Sequence, residues 1–205
     1  MNIKGIIHVG AHYGEEFQEY LKNKIKIIHG FEPVKQNYEI LSKNIKTLKG
    51  KIKIYPYALG NKNQNKKKIF LSNNNDAQSS SFLKPLLHLI QHPEITFNES
   101  EIVKLKRLDF FKIKNSNFMS IDVQGYELEV LKGAKKTLEV IDYLYCEVNT
   151  AETYKNNPLI EDIDNYLKKY NFFRVETFFS YYKNFFLLPK KKLSWGDALY
   201  IKNFK

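Results

Sequence analysis

Short apolar runs rich in β-branched residues alternate along this chain with stretches of helical periodicity, and few folds accommodate that alternation. The pattern predicts strands at Lys4–Val9, Ile25–Phe31, Ile52–Ala58, Ile102–Leu105, Phe118–Val123, Tyr143–Val148, Phe172–Phe178 and Asp197–Ile201. Helices are predicted between them at Glu15–Asn23, Val34–Leu48, Tyr126–Val140 and Pro158–Tyr170. Strands separated by helices argue for an α/β fold, a mostly parallel sheet covered by helices on both faces. The texture changes after Gly60: Asn61–Lys68 is polar and lysine-rich, Ile69–Leu71 reads as a hairpin arm, and Ser72–Ser81 as loop. With 205 residues, no internal repeat and no linker, one domain is expected, carrying an insertion over residues 61–100.

Composition removes several classes. At 43% apolar the chain can build a core, and no stretch approaches the roughly 20 uninterrupted apolar residues of a membrane-spanning helix. The apolar run Gly5 to Ala11 is too short for a signal peptide. The single cysteine, Cys146, has no partner for an internal disulfide, so a cytoplasmic setting is the expectation. The net charge of +11 comes from 33 basic residues, of which only Arg107 and Arg174 are arginine. A nucleic-acid surface would cluster its charge and place arginine at phosphate contacts; lysine spread among Ile and Asn reads first as a solvated surface.

Three strand ends carry the chemistry. His8-Val9-Gly10-Ala11-His12-Tyr13-Gly14 joins the first strand to a helix, and glycine there lets the backbone turn sharply and lie close to a ligand. Gly30-Phe31-Glu32-Pro33 closes the second strand about twenty residues on, where an acid can accept hydrogen bonds from ribose hydroxyls; Glu32 could equally serve the N-terminus of the following helix. Ser120-Ile121-Asp122-Val123-Gln124-Gly125-Tyr126-Glu127 repeats the arrangement. Asp122 follows a buried run, so its carboxylate is expected at the same edge as Gly10 and Glu32, since an unpaired carboxylate in the core would be costly.

These blocks, with Ala58-Leu59-Gly60, Ser79-Ser80-Ser81-Phe82, Leu108-Asp109, Leu131-Lys132-Gly133-Ala134 and Gly196-Asp197-Ala198-Leu199-Tyr200, follow one another in the order seen in FkbM methyltransferases, and from about residue 4 to 203 the chain resembles that family. The resemblance implies a Rossmann-like class I methyltransferase with a seven-stranded sheet whose last strand is antiparallel. It implies S-adenosyl-L-methionine as cofactor, S-adenosyl-L-homocysteine as its product, and O-methylation of a hydroxyl on a sugar, glycan or other small metabolite. Carried over by position, His8, Gly10, Ala11 and Gly14 meet the methionine part, Glu32 and Pro33 the ribose, and Ala58 and Leu59 the adenine. Ser80 is assigned to the cofactor as well. Asp122 lies close to the methyl group, and Gln124 and Glu127 stand toward the acceptor.

The first motif departs from the family at position 8, where an acid is usual and this chain has His8; Glu15 or Glu16 are the expected substitutes. Methyl transfer is an in-line displacement that mostly needs alignment, with a base within reach when the acceptor is a hydroxyl. Asp122 is the first candidate for that base, then Glu127 and His12. No metal signature is present and no metal is assigned, although Mg²⁺ on Asp122 and a second acid would be an alternative. His8 and His29 fall in strands and read as core histidines; His88 and His92, four apart and followed by Pro93, read as coincidence. Glu147, at the end of the fifth strand of the main sheet, is open between an acceptor contact and a salt bridge.

The first strand begins almost at residue 3, so no N-terminal cap is expected, and acceptor choice is assigned to residues 61–100 and to Phe178–Gly196. The aromatic run through Phe172, Phe173, Phe178, Phe179, Tyr181, Tyr182, Phe185 and Phe186 leaves core, acceptor pocket and homodimer contact open. Two other readings stay open: an RNA methyltransferase using the lysine surface, and a protein that binds the cofactor without catalysis.

Overall fold

A computed structural model describes residues 1–181 and 192–203. In chain order it forms β1 (Ile6–Val9), α1 (Phe17–Lys22), β2 (Ile27–Phe31), α2 (Lys35–Asn44), β3 (Lys51–Tyr55), β4 (Ala58–Leu59), β5 (Gln64–Asn73), α3 (Leu87–Gln91) and β6 (Thr96–Lys106). Then follow β7 (Phe118–Ile121), α4 (Glu127–Lys132), α5 (Lys135–Val140), β8 (Tyr143–Asn149), α6 (Ile160–Lys168), β9 (Phe172–Tyr181) and β10 (Lys192–Lys202). Short 3₁₀ turns occupy Ile45–Thr47 and Leu108–Phe111. Tyr182, Phe185 and Phe186 of the aromatic run lie outside the described residues.

Seven strands form one sheet in the order β3-β2-β1-β7-β8-β10-β9. All neighbours pair in parallel except β10, which is antiparallel to both β8 and β9. The central strand β1 is buried at all four positions, as a strand covered on both faces must be. Its Ile7 and Val9 join Phe31, Met119, Ile121, Leu144 and Cys146 in the main core. On one side α6 closes this core with Ile160, Ile163 and Leu167, spaced to fall on one helical stripe. On the other face Phe17 and Leu41 pack with Ile28 and Ala11.

The predicted helix over 126–140 is two helices. Gly133 sits between them with its Cα against the Gly60 carbonyl: a Cβ there would lie 2.0 Å from that oxygen, so the chain bends where the backbones meet. The insertion is also more ordered than its sequence predicts. β5 runs ten residues antiparallel to β6, and β6 in turn pairs in parallel with β4 through Ala58↔Leu105 and Leu59↔Lys106, giving a second, three-stranded sheet. Lysines on the outer positions of β5 hide the strand in sequence, while Ile69, Val103 and Leu105 pack inward beside Val34 and Ala58. Lys67 lies over the rings of Phe82 and Tyr126, its stem covering apolar surface. Among the described residues no helix is long and apolar enough to cross a membrane.

Candidate active site

The carboxyl ends of β1, β2 and β7 are tied together by their backbones. The N–H groups of Gly10 and Ala11 both donate to the Phe31 carbonyl, at 3.0 and 2.9 Å, and Asp122 N–H donates to the Val9 carbonyl at 3.0 Å. Gly10 takes φ +85°, and a Cβ added to it would stand 1.8 Å from the Asp122 carbonyl oxygen, so this approach of two strand tips requires glycine. Ala11 is fully buried below the loop, and Gly14, at φ +78°, faces Leu41. Both shape the loop from behind.

Glu32 links the loop to the next element. It is 5% exposed; its Oε2 accepts the His12 N–H at 2.9 Å and its Oε1 the Val34 N–H at 2.8 Å, just ahead of α2. It therefore does serve the helix start. Burial pushes its carboxyl up to about 7, against the pull of those two N–H groups. His12, at φ +41°, turns its ring outward: Nδ1 meets Glu15 at 2.7 Å and Nε2 the Asp76 carbonyl at 2.8 Å, so the ring joins the glycine loop to the insertion. His8 is buried with Nδ1 against the Tyr20 hydroxyl at 2.9 Å, and burial holds its pKa down. Glu15 is committed to His12 and to the Tyr13 N–H, which leaves Glu16 as the acid of that pair whose carboxylate has no hydrogen bond among the described residues.

Around Asp122 the polar groups form one connected set. Gln124, held at φ +56°, donates from Nε2 to Asp122 Oδ1 and to Glu147 Oε2, both at 2.7 Å. Its Oε1 accepts the Tyr154 hydroxyl at 2.8 Å, which fixes the amide with its NH₂ toward the two carboxyls. Its main-chain carbonyl accepts the Ser81 hydroxyl at 2.6 Å, and Tyr154 also reaches the Ser79 carbonyl at 3.0 Å. Ser80 Oγ accepts the Ser72 N–H at 3.1 Å. Burial, then Asp122 and Glu127, push Glu147 well above the usual carboxylate range. Asp197, paired opposite Glu147 in the β8–β10 register, rises to about 6 through burial and Asp122.

Glu127 is placed differently from the acceptor-side position its sequence suggests. It is buried beneath the 123–125 turn, where Oε1 accepts the Val123 and Gly125 N–H groups at 3.1 and 3.0 Å and Oε2 has no partner among the described residues. Burial raises it from the ordinary 4.5 to about 7. The native protein thus keeps this proton longer than the unfolded chain, so the group costs stability as pH rises from about 4.5 through 7. Glu127→Gln keeps an oxygen for both N–H groups and removes the charge. Its stability relative to wild type should rise between pH 5 and pH 8 by up to roughly 3 kcal/mol, at about 1.4 kcal/mol per pKa unit, as read by urea melts at the two pH values.

All of this surrounds a cavity of about 930 Å³. Of the residues singled out in the sequence, His8, Gly10, His12, Glu32, Pro33, Ala58, Leu59, Ser80, Asp122 and Gln124 line it, whereas Ala11, Gly14 and Glu127 stand behind its wall. Tyr20, Tyr145, Trp195, Asp197, His88 and His92 line it too. Asp197 and Trp195 lie in or beside a motif quoted above, yet only the antiparallel pairing of β10 with β8 reveals that they face Asp122's neighbours. Among the described residues no group of three or more His, Cys, Asp or Glu side chains is arranged to hold a metal ion.

Residues 8–173 match the family described as Methyltransferase FkbM domain. The chain is 24% identical over 161 residues to the 2-O-methyltransferase NoeI of Sinorhizobium fredii, covering 73% of this chain and 65% of that protein. Its fold matches that of a methyltransferase FkbM from Methylobacillus flagellatus with a TM-score of 0.57 at 15% identity, over 97% of this chain and 43% of that one. It also matches a magnesium protoporphyrin IX methyltransferase from Synechocystis, solved with S-adenosylmethionine bound, with a TM-score of 0.51 at 9% identity, over 97% and 69% of the two chains. The chain spans less than two thirds of the length of NoeI and of the M. flagellatus protein. A mostly parallel sheet with β10 reversed, a glycine loop meeting the Asp122 tip, and a family match over most of its length lead to one assignment: the chain belongs to the FkbM family of methyltransferases.

Proposed function

We propose that this chain transfers a methyl group from S-adenosylmethionine to a hydroxyl oxygen of a sugar, glycan or other small metabolite. The observation that carries the reading is the meeting of the β1, β2 and β7 tips at one cavity whose wall includes both the Glu32 and the Asp122 carboxyls. The cavity's volume is at the upper end of the roughly 300–1,000 Å³ usual for ligand pockets, which suits a nucleoside and an acceptor together.

The residues fit the cofactor. Each Glu32 oxygen already takes one backbone N–H and retains a second lone pair, enough for a ribose hydroxyl on each. Ala58 and Leu59 offer an apolar wall for adenine, and Glu16 supplies the negative charge that His8 lacks. When bound, S-adenosylmethionine supplies a methyl group on a positively charged sulfur. Asp122, with one oxygen fixed by Gln124, takes the proton of the acceptor hydroxyl on the other. The relative NoeI is named a 2-O-methyltransferase, in accord with a hydroxyl acceptor. Among the described residues lining the cavity there is no lysine or arginine, the reverse of what a phosphate backbone would require.

Calorimetry tests the reading. Wild type is expected to bind S-adenosylhomocysteine, and Glu32→Ala to bind it about 10- to 150-fold more weakly, the range for hydrogen bonds to a charged group. Equal affinity in the two proteins would remove Glu32 from the ribose site.

A further inference from the structure

The cavity extends well beyond the strand tips assigned to the cofactor. It reaches from Glu32 at β2 to Asp197 on β10, and four strand spacings separate those two strands, about 19 Å at ~4.8 Å each. On the β8–β10 side its wall includes α3, which comes from the insertion. This helix is fixed in place by several bonds. Leu86 and His88 donate N–H groups to the Thr153 carbonyl at 2.9 and 3.1 Å, and the Gln91 amide pairs with the Ser194 hydroxyl at 2.9 and 3.1 Å. Ser194 Oγ in turn meets Thr153 Oγ at 3.0 Å.

His88 is the exception to this well-bonded arrangement. It is 4% exposed and lines the cavity, and its buried Nδ1 has no hydrogen-bond partner among the described residues. Aromatic rings surround it: Phe97 and Tyr154 with centroids at 5.4 Å and His92 at 5.1 Å. Buried polar side-chain atoms in native proteins nearly always have partners, so an imidazole left short of one on a residue that lines a cavity is a place where a polar group of a ligand can be met. Burial, reinforced by His92, holds the ring down to about 4, so it is neutral at pH 7, with one nitrogen donating and one accepting. A neutral imidazole is best matched by a group that both donates and accepts, and a hydroxyl does both. Trp195, also on the wall, provides apolar surface for the carbon face of a ring.

We propose that His88 hydrogen-bonds a hydroxyl of the methyl acceptor, so that α3 makes this cavity selective for neutral, polyhydroxylated rings. The proposal deepens the methyl-transfer reading and rests on it for the name acceptor. His88 would be a binding and specificity residue, with the proton transfer left to Asp122.

The test titrates protein with isotope-labelled histidine, with and without saturating S-adenosylhomocysteine, using a set of neutral methyl hexopyranosides and the matching uronates and amino sugars. A neutral glycoside is expected to bind and to move the His88 ring resonances. His88→Phe should bind it about 3- to 10-fold more weakly, the loss of one neutral hydrogen bond, with unchanged affinity for S-adenosylhomocysteine; His88→Gln, which keeps a donor and an acceptor, should recover part of the loss. Equal glycoside affinity in His88→Phe, tightest binding to an amino sugar or uronate, or no glycoside binding to wild type would each overturn the proposal. Glycoside binding that moves His88 in a protein that never binds S-adenosylhomocysteine would uphold His88 and sink the methyl-transfer reading instead.

Discussion

Asp122→Asn is expected to lower turnover by about 10²- to 10⁴-fold, the usual contribution of a positioned base. The replacement keeps the shape, and its amide oxygen can still accept from Gln124 Nε2, so the network that holds Gln124 between β7 and β8 survives. What is lost is the ability to take a proton. The signature is therefore a fall in single-turnover rate with S-adenosylhomocysteine affinity nearly unchanged, measured by quench-flow and calorimetry on the same preparation. A parallel loss of affinity would mean that Asp122 holds the cofactor rather than the acceptor's proton.

Gly10→Ala should have the largest effect on the fold. A methyl group there would stand 1.8 Å from the Asp122 carbonyl oxygen, a backbone atom that cannot swing aside, and φ +85° adds strain for any residue with a Cβ. Left-handed strain of about 1–3 kcal/mol and a comparable overpacking term add to about 2–6 kcal/mol, a large part of a typical domain's stability. Gly50→Ala is the milder comparison: its nearest contact, Leu21 Cδ2 at 2.6 Å, is the end of a flexible side chain, and the Lys26 carbonyl at 3.3 Å needs only a small shift, so its loss should be well below that of Gly10→Ala. Denaturant melts of the two variants beside wild type decide the matter; similar midpoints would show that the tips of β1 and β7 part easily.

The parts of the fold legible in the sequence are those where one local signal sufficed. β1, β2, β7 and β8 are short, wholly or mostly buried runs, and each ends near a glycine or an acid that says where the ligand edge lies. Elements specified by a distant partner were not legible. The bend at Gly133 exists because the Gly60 carbonyl is there, and β5 is a strand because β6 pairs with it, although half of its own residues are lysine and asparagine. The same holds at the site. Gly10, Glu32 and Asp122 stand out by spacing and line one cavity, whereas Tyr154 and His88 gain meaning only when the 151–154 segment and α3 are brought together. The four-residue spacing of His88 and His92, read as chance in the sequence, puts both on the cavity wall. Glu127 misled in the opposite sense: its motif points to chemistry, but its carboxylate shapes the turn that presents Gln124.

The three-stranded sheet has a consequence for anyone who would transplant acceptor preference between relatives. Its root is β4, and Ala58 and Leu59 of that strand also face the cavity. A graft cut at residues 61 and 100 would sever β6 midway and set a foreign β5 against the retained half of β6, the half that also pairs with β4. A graft carried through to Lys106 takes β5, α3 and β6 as a unit, but must bring with it the Asp76 carbonyl for His12 and the Ser81 hydroxyl for Gln124. On the proposed function, donor pocket and acceptor pocket are thus stitched along a common seam, and a portable module is one that keeps both stitches.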